Sequence, residues 1–242
     1  MDKGPGKGEL VKRYRNEWKY CCSEEQLAML AQRIRPLLEP DVHGDENGKY
    51  VIHSLYFDDL HDSCAYGNEA GIAERFKYRI RYYGDDSDKL FLERKEKLYG
   101  RCHKDFCPIT GEEYDAFFTG DVSDLLYGDR HPLVKRFAAD VLRCGFTPKA
   151  VIDYERFAYV EPTANVRITF DTNISASYAA EDFLEGGYTV FPLQQRSRHV
   201  LEVKFDDILP GHIKTLVSSN EYRQTTFSKY YLGRCRLKEV LL

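Results

Sequence analysis

Lys77, Arg79 and Arg81 alternate with Tyr78, Ile80 and Tyr82, and Glu93, Lys95 and Lys97 alternate with Arg94 and Glu96. Side chains on a β-strand point to opposite faces with period two, so each stretch predicts a strand that carries a basic or acid-plus-base face. Taken singly, such a face is a solvated surface. Here it recurs. Arg13, Arg15, Glu17 and Lys19 share a face of an early strand beginning near Leu10 and Val11; Tyr154 and Arg156 share another. Arg167, Thr169 and Asp171 form a further face, as do Val200, Glu202 and Lys204. The opposite faces are apolar: Val166, Ile168 and Phe170; Leu201, Val203 and Phe205. Side chains two apart sit about 7 Å from each other, so a sheet of these strands presents a grid of cations. If it closes into a barrel with those faces inward, the lumen is polar and helices cover the outside. Buried unpaired charges cost several kcal/mol each, so such a lumen is wet, paired with the interspersed carboxylates, or made for a polyanion. Arg as a planar fork and Lys as a point charge suit phosphate groups.

The chain that carries these faces has 242 residues, 18 of them Tyr and 14 Phe, and a net charge of −4. That length bounds one sizeable domain, and the acidic balance argues against a nucleic-acid binder. Seven cysteines, an odd number without CxxC pairs, predict reduced thiols and no zinc cluster. No apolar run approaches the roughly 20 residues of a membrane span. A Gly-rich leader over 1–9 precedes one domain over 10–242. Ser23 with Gln26, and Thr110 with Glu113, are capping boxes that open helices. The first of these helices carries Leu27, Leu30, Ile34 and Leu38 on one side. A third helix spans 132–144, with Leu133, Phe137, Val141 and Leu142 inward and Gly145 as its cap. Residues 76–97 read as a hairpin turning at 84–88. Helices are also expected over 210–218 and 224–233, with a last turn or strand over 236–242. There is no repeat, no P-loop, no GxGxxG and no Ser/His/Asp set. His103 and His199 read as strand or loop histidines, and the tyrosines as packing residues with wet hydroxyls. The fold class is α+β around a large, mainly antiparallel sheet.

The order of several short motifs resembles the VTC domain of vacuolar transporter chaperone polyphosphate polymerases, within the triphosphate tunnel metalloenzyme superfamily. These motifs are Glu17-Trp18-Lys19-Tyr20, Ser54-Leu55-Tyr56-Phe57-Asp58, Lys77-x-Arg79-x-Arg81-x-Tyr83 and Glu93-Arg94-Lys95-x-Lys97. Tyr154-x-Arg156, Val166 to Asp171, Leu201-Glu202-Val203-Lys204 and Phe227-Ser228-Lys229-Tyr230 follow. The resemblance implies a closed antiparallel tunnel of eight strands with peripheral helices. It implies phosphate contacts from Lys19, Arg79, Arg81, Lys95, Arg156, Arg167, Lys204 and Lys229, extended to Lys104 and Ser228; the strand pattern adds Lys77 and Lys97. Arg79, Arg81, Lys95, Arg156, Arg167 and Lys229 would be the catalytic set. Glu202, with Glu17, would hold Mn2+ or Mg2+. The implied activity is transfer of the γ-phosphate of ATP onto growing inorganic polyphosphate, with pyrophosphate or phosphate also bound. The implied setting is the cytoplasm, with a separate membrane protein as partner for polymer export and no nucleic acid. Two alternatives stay open: a tunnel triphosphatase, and a non-catalytic sensor of polyphosphate or inositol phosphates. In one respect the sequence departs from hydrolytic tunnel enzymes, which carry Glu-x-Glu-x-Lys on the first strand. Here that strand reads Arg15-x-Glu17-x-Lys19.

Overall fold

A computed structural model describes residues 12–42, 44–45, 48–67, 70–195, 198–217 and 222–241. The expected leader and the expected strand start at Leu10 and Val11 lie outside the described residues. In chain order the elements are β1 (Asn16–Ser23), α1 (Glu24–Ile34), β2 (Glu39–Pro40), β3 (Lys49–Asp58), α2 (Ser63–Tyr66), β4 (Glu74–Tyr83), β5 (Asp86–Leu98) and β6 (Arg101–Ile109). Then come α3 (Gly111–Thr119), a 3-10 turn (Ser123–Leu126), α4 (Pro132–Cys144), β7 (Thr147–Glu161), β8 (Val166–Ser177) and β9 (Phe191–Pro192). β10 (Arg198–Phe205), α5 (Gly211–Val217), β11 (Arg223–Gln224) and α6 (Lys229–Leu241) complete the chain.

The strands form one antiparallel sheet in the order β11-β1-β10-β8-β7-β3-β4-β5-β6, with β2 added to β7 and β9 to β8. Eight of these are long strands, the number expected, but the closed eight-stranded barrel is not formed: the sheet is open. The edge of β1 that closure needs is partly taken by β11, which pairs with Tyr20 and Cys21. Toward β6, among the described residues, the backbone makes a single bridge, in which Arg15 and Cys102 exchange two N–H···O bonds of 2.8 Å. The rest of that seam is held by side chains. Lys95 donates to Glu17, and Lys12 and Tyr14 both donate to Glu96.

The apolar faces pack outward in two cores. Leu201, Val203 and Phe205 of β10 and Val166, Ile168 and Phe170 of β8 meet Leu27, Leu30 and Ile34 of α1 and Ile213 and Val217 of α5. Tyr78, Ile80 and Tyr82 of β4 face α3 and α4, where the Tyr78 ring stacks on Phe137 at 4.2 Å. Both capping boxes form, and Gly145 ends α4 at φ 68°, a left-handed conformation that glycine takes without strain. Leu142, expected inward, is exposed; Val134 and Ala138 fill the inner stripe of α4 instead. The last helix begins at Lys229 and runs on to Leu241, replacing both the helix expected over 224–233 and the final turn or strand.

α6 lies against the concave side of the sheet. Its Tyr230 stacks on Tyr56 at 4.7 Å, and a Cβ at Gly233 would stand 2.4 Å from Ile152 Cδ1, so a larger residue here would force that methyl to shift. Asp58 fixes the arrangement. α2 starts at Asp62 with φ 55° and no side-chain cap. The fully buried Asp58 carboxylate supplies the cap from the preceding strand, accepting from the amides of Asp59, Cys64 and Ala65 and from the Tyr230 hydroxyl at 2.8–2.9 Å. Asp58→Ala strips these donors of their acceptor and is expected to lower the unfolding free energy by about 3 kcal/mol. Urea melts check this. Asp58→Asn, which keeps one acceptor oxygen, is expected to lose less.

Candidate functional site

The concave face encloses a cavity of about 1040 Å³. Among the described residues, fourteen Lys and Arg side chains and three Glu line it, in a chain whose net charge is −4. Every candidate from the sequence reaches this one space: Glu17, Lys19, Lys77, Arg79, Arg81, Lys95, Lys97, Lys104, Arg156, Arg167, Glu202, Lys204, Ser228 and Lys229. Period-two alternation explains the convergence, because inward positions of seven strands and the first turn of α6 all face one axis. Lys229, on a helix, points into the cavity and not to solvent.

The cations are organised around buried carboxylates. Glu93, 1% exposed, accepts from Arg79 Nε and Nη2 at 2.8 and 2.6 Å, from Lys104 at 3.1 Å and from Arg81 at 3.5 Å. Burial alone would raise its pKa, but Arg79, Arg81 and Lys104 hold it well below the usual carboxylate range. Tyr56 accepts from Arg79 at 2.7 Å; Ser54 and Tyr154 accept from Arg81 at 3.2 and 3.1 Å. Both guanidinium groups are therefore locked before any ligand arrives.

A second group crosses β1 and β10, where Lys19 faces Glu202 and Glu17 faces Lys204 in register. Lys95 Nζ lies 2.6 Å from Glu17, Lys204 Nζ 2.5 Å from Glu202, and Lys19 Nζ 3.4 Å from Glu202 and 3.9 Å from Glu17. Lys19 also donates to the carbonyl of Phe227 at 2.8 Å. Burial and the Glu202 charge push the Glu17 carboxyl up, yet Lys19, Lys95 and Lys204 bring it down to about 2. The third group is Asp171, fully buried, which takes a two-point pair from Arg156 at 2.6 and 2.8 Å and a further pair from Lys229. Arg167, beyond it, pairs with Asp41 and donates to the Tyr50 hydroxyl at 2.8 Å.

Two lysines lack this support. Lys77 donates only to Ser228 Oγ, at 2.8 Å, and among the described residues neither Lys77 nor Lys97 makes an ion pair. Burial, reinforced by Lys19, Lys95 and Arg75, drives Lys77 down to about 7; burial also lowers Lys97. Lys104 falls to about 8, because burial with Arg81 and Arg79 outweighs the pull of Glu93.

The sequence reading passed over several members of the site. Tyr154 was taken for packing. Its hydroxyl accepts from Arg81, and Lys229 and Arg156 lie over its ring at 4.6 and 5.2 Å. Burial would raise this phenol, but Arg81, Arg156 and Lys229 pull it down to about 7. Tyr50 and Tyr56 also line the cavity. For Tyr154 the available signal was its place on a cation-bearing face, two before Arg156; the face of β3 that carries Tyr50 and Tyr56 holds no cation. His103 engages Asp105 and the Arg13 carbonyl, and His199 lies outside the cavity.

Hard divalent cations take oxygen ligands, and Mg2+ is commonly held by one or two carboxylates plus phosphate oxygens and water. Glu17 and Glu202 suit that role by chemistry and place: both are carboxylates that line the cavity, and they lie 3.9 and 3.4 Å from the same Lys19 ammonium. Among the described residues no group of three or more His, Cys, Asp or Glu gathers, so the protein supplies only part of such a shell. Arg15, which stands where hydrolytic tunnel enzymes have an acid, pairs with Asp206 at 3.1 Å.

Comparison with known proteins bears on these observations. A model of the VTC domain matches residues 14–238. No curated protein matches. Among solved structures, the chain is similar to the PH1819 protein of Pyrococcus horikoshii OT3, with 14% identity, a TM-score of 0.47, and 93% of this chain and 98% of that one covered. It is also similar to the bh2851 protein of Bacillus halodurans, a candidate adenylate cyclase, with 11% identity, a TM-score of 0.48, and 96% and 90% covered. The family match spans nearly the whole described chain, from just before β1 into α6, and on that ground the chain belongs to the VTC domain family.

Proposed function

We propose that this VTC domain is a polyphosphate polymerase that transfers the γ-phosphate of ATP onto inorganic polyphosphate. The observation that carries the reading is the gathering of fourteen cations in one cavity of an acidic protein. Family membership supports phosphate handling; the polymerase step is our own reading. Phosphoryl transfer asks little covalent chemistry of a protein. It asks for alignment of donor and acceptor and for neutralisation of charge on the phosphoryl oxygens. Arg79 and Arg81, fixed on Glu93, offer N–H groups of set direction, and Lys95, Lys204, Arg156 and Lys229 add positive charge along the same wall. Glu17 and Glu202 would hold Mn2+ or Mg2+, which would supply Lewis-acid neutralisation of phosphate charge. A phosphate or polyphosphate acceptor is already anionic, so no dedicated general base is required. Arg15 in place of an acid favours gripping phosphate over assembling a hydrolytic metal site.

Incubation with ATP and Mn2+ is expected to give long phosphate chains on a gel. Free phosphate without chains would favour a triphosphatase, and tight polyphosphate binding with neither product a sensor. Lys229→Met leaves Asp171 its two-point pair with Arg156, so it should fold normally while chain synthesis falls about 100-fold, the scale of losing one preorganised charge donor. An unchanged rate would remove Lys229 from the mechanism.

The lysine shifts set a pH dependence. Lys77 and Lys104 are charged below their lowered pKa values, about 7 and about 8, and neutral above them. Tripolyphosphate affinity, measured by calorimetry at constant ionic strength, is therefore expected to weaken between pH 7 and 9. Lys77→Gln is expected to weaken binding at pH 6.5 and to flatten this profile.

A further inference from the structure

Four neighbouring strands each place an aromatic ring at one end of the concave face: Tyr50 on β3, Tyr83 on β4, Phe91 on β5 and Phe106 on β6, and all four line the cavity. The arc is continuous at its centre. Tyr50 and Tyr83 lie 6.1 Å apart at 55°, and Tyr83 meets Phe91 at 6.2 Å, near edge-on. The segment 224–230 stands at the other end, around Tyr56, Lys77 and Lys19. Tyr83 is 37% exposed and Phe106 56%, so the rings are reachable from solvent. Neither is needed to complete a core, because the outward partners of these strands, Tyr82 and Leu92 among them, fill that space.

Directly inside the arc stand the cations. Arg81 lies over the Tyr83 ring at 5.7 Å, Lys104 over Phe106 at 4.6 Å, and Arg167 donates to Tyr50. Apolar faces next to cations that outnumber their carboxylate partners suit one kind of molecule: a planar aromatic group attached to a polyphosphate. We propose that this arc is the docking site for the base of a nucleoside triphosphate, with the triphosphate running inward past Arg81. The inference rests on the phosphate-binding reading of the cavity and adds to it the place and manner of base recognition. The exposed groups of the arc are ring faces and one phenol hydroxyl, that of Tyr83, while the Tyr50 hydroxyl is already engaged by Arg167. Recognition by stacking is tolerant of base identity, because every base presents a π-face, and purines offer the larger area.

The test compares ATP with inorganic tripolyphosphate, which has no base, by calorimetry at fixed Mg2+. Tyr83→Ala is expected to weaken ATP about tenfold and to leave tripolyphosphate unchanged, with Tyr83→Phe restoring ATP affinity. Wild-type protein is expected to bind ATP and GTP within a few-fold of each other, and both more tightly than UTP. Equal loss of ATP and tripolyphosphate in Tyr83→Ala overturns the base site, because the tyrosine then acts only through Arg81. No loss of ATP in either Tyr83→Ala or Phe91→Ala overturns it as well. Failure of wild-type protein to bind tripolyphosphate at all overturns the phosphate reading itself, and the base site falls with it.

Discussion

The constraint on which the structure depends is repulsion among cations that share one enclosed space. Two like charges 4 Å apart oppose each other by about 4 kcal/mol at the effective dielectric of a partly buried site. With fourteen of them around one cavity, a sheet folded this way needs internal counter-charge. It is supplied by Glu17, Glu93, Glu202 and Asp171, each shared between two or three cations rather than spent on one. Sharing is the important feature. One carboxylate per cation would give a neutral network with nothing to offer a ligand. One carboxylate for several cations holds the arginines still and leaves the wall positive. The same carboxylates would otherwise be costly to bury, and it is the surrounding cations that keep Glu93 and Glu17 ionised.

Rigid placement of these groups comes from outside the cavity. The two apolar cores clamp the sheet from its convex side, so inward side chains have little freedom to move apart. From the concave side, α6 is tied down by a short relay. Asp58 caps α2 and accepts from Tyr230, Tyr230 stacks on Tyr56, and Tyr56 accepts from Arg79. Arg234 extends the tie by pairing with Asp62 at the start of α2. The position of a helix that delivers Lys229 is thus linked, contact by contact, to the arginine that grips Glu93.

Much of this was legible in the sequence because the signal was periodic. Alternation at 77–83 and 93–97 placed Lys77, Arg79, Arg81 and Lys95 on one face, and the same rule gathered Arg156, Arg167, Glu202 and Lys204. Both capping boxes were read from local chemistry alone, and both form. What escaped was decided by tertiary partners. Nothing in the run Asp58-Asp59 says that the first aspartate caps a helix and receives a tyrosine from residue 230. Tyr154 looks like any strand tyrosine until Arg81, Arg156 and Lys229 converge on it. Leu142 fitted the α4 stripe by type, yet the stripe rotates toward Val134 and Ala138. Sheet closure was beyond the sequence for a similar reason: alternation fixes which face is inward, but not whether the two edges meet.

That open seam bears on how the cavity works. Where a closed barrel would have a ladder of backbone bonds, the described residues of this sheet make one bridge, at Arg15 and Cys102, beside a set of charged side chains. Lys95 belongs to two structures at once. Its pair with Glu17 joins β5 to β1 across the seam, and its ammonium lines the cavity wall. On the proposed reading, a polyanion in the cavity would draw on the same ammonium that holds Glu17. The seam is thereby held by two side chains that also line the cavity, a double duty that a backbone ladder there would have spared them.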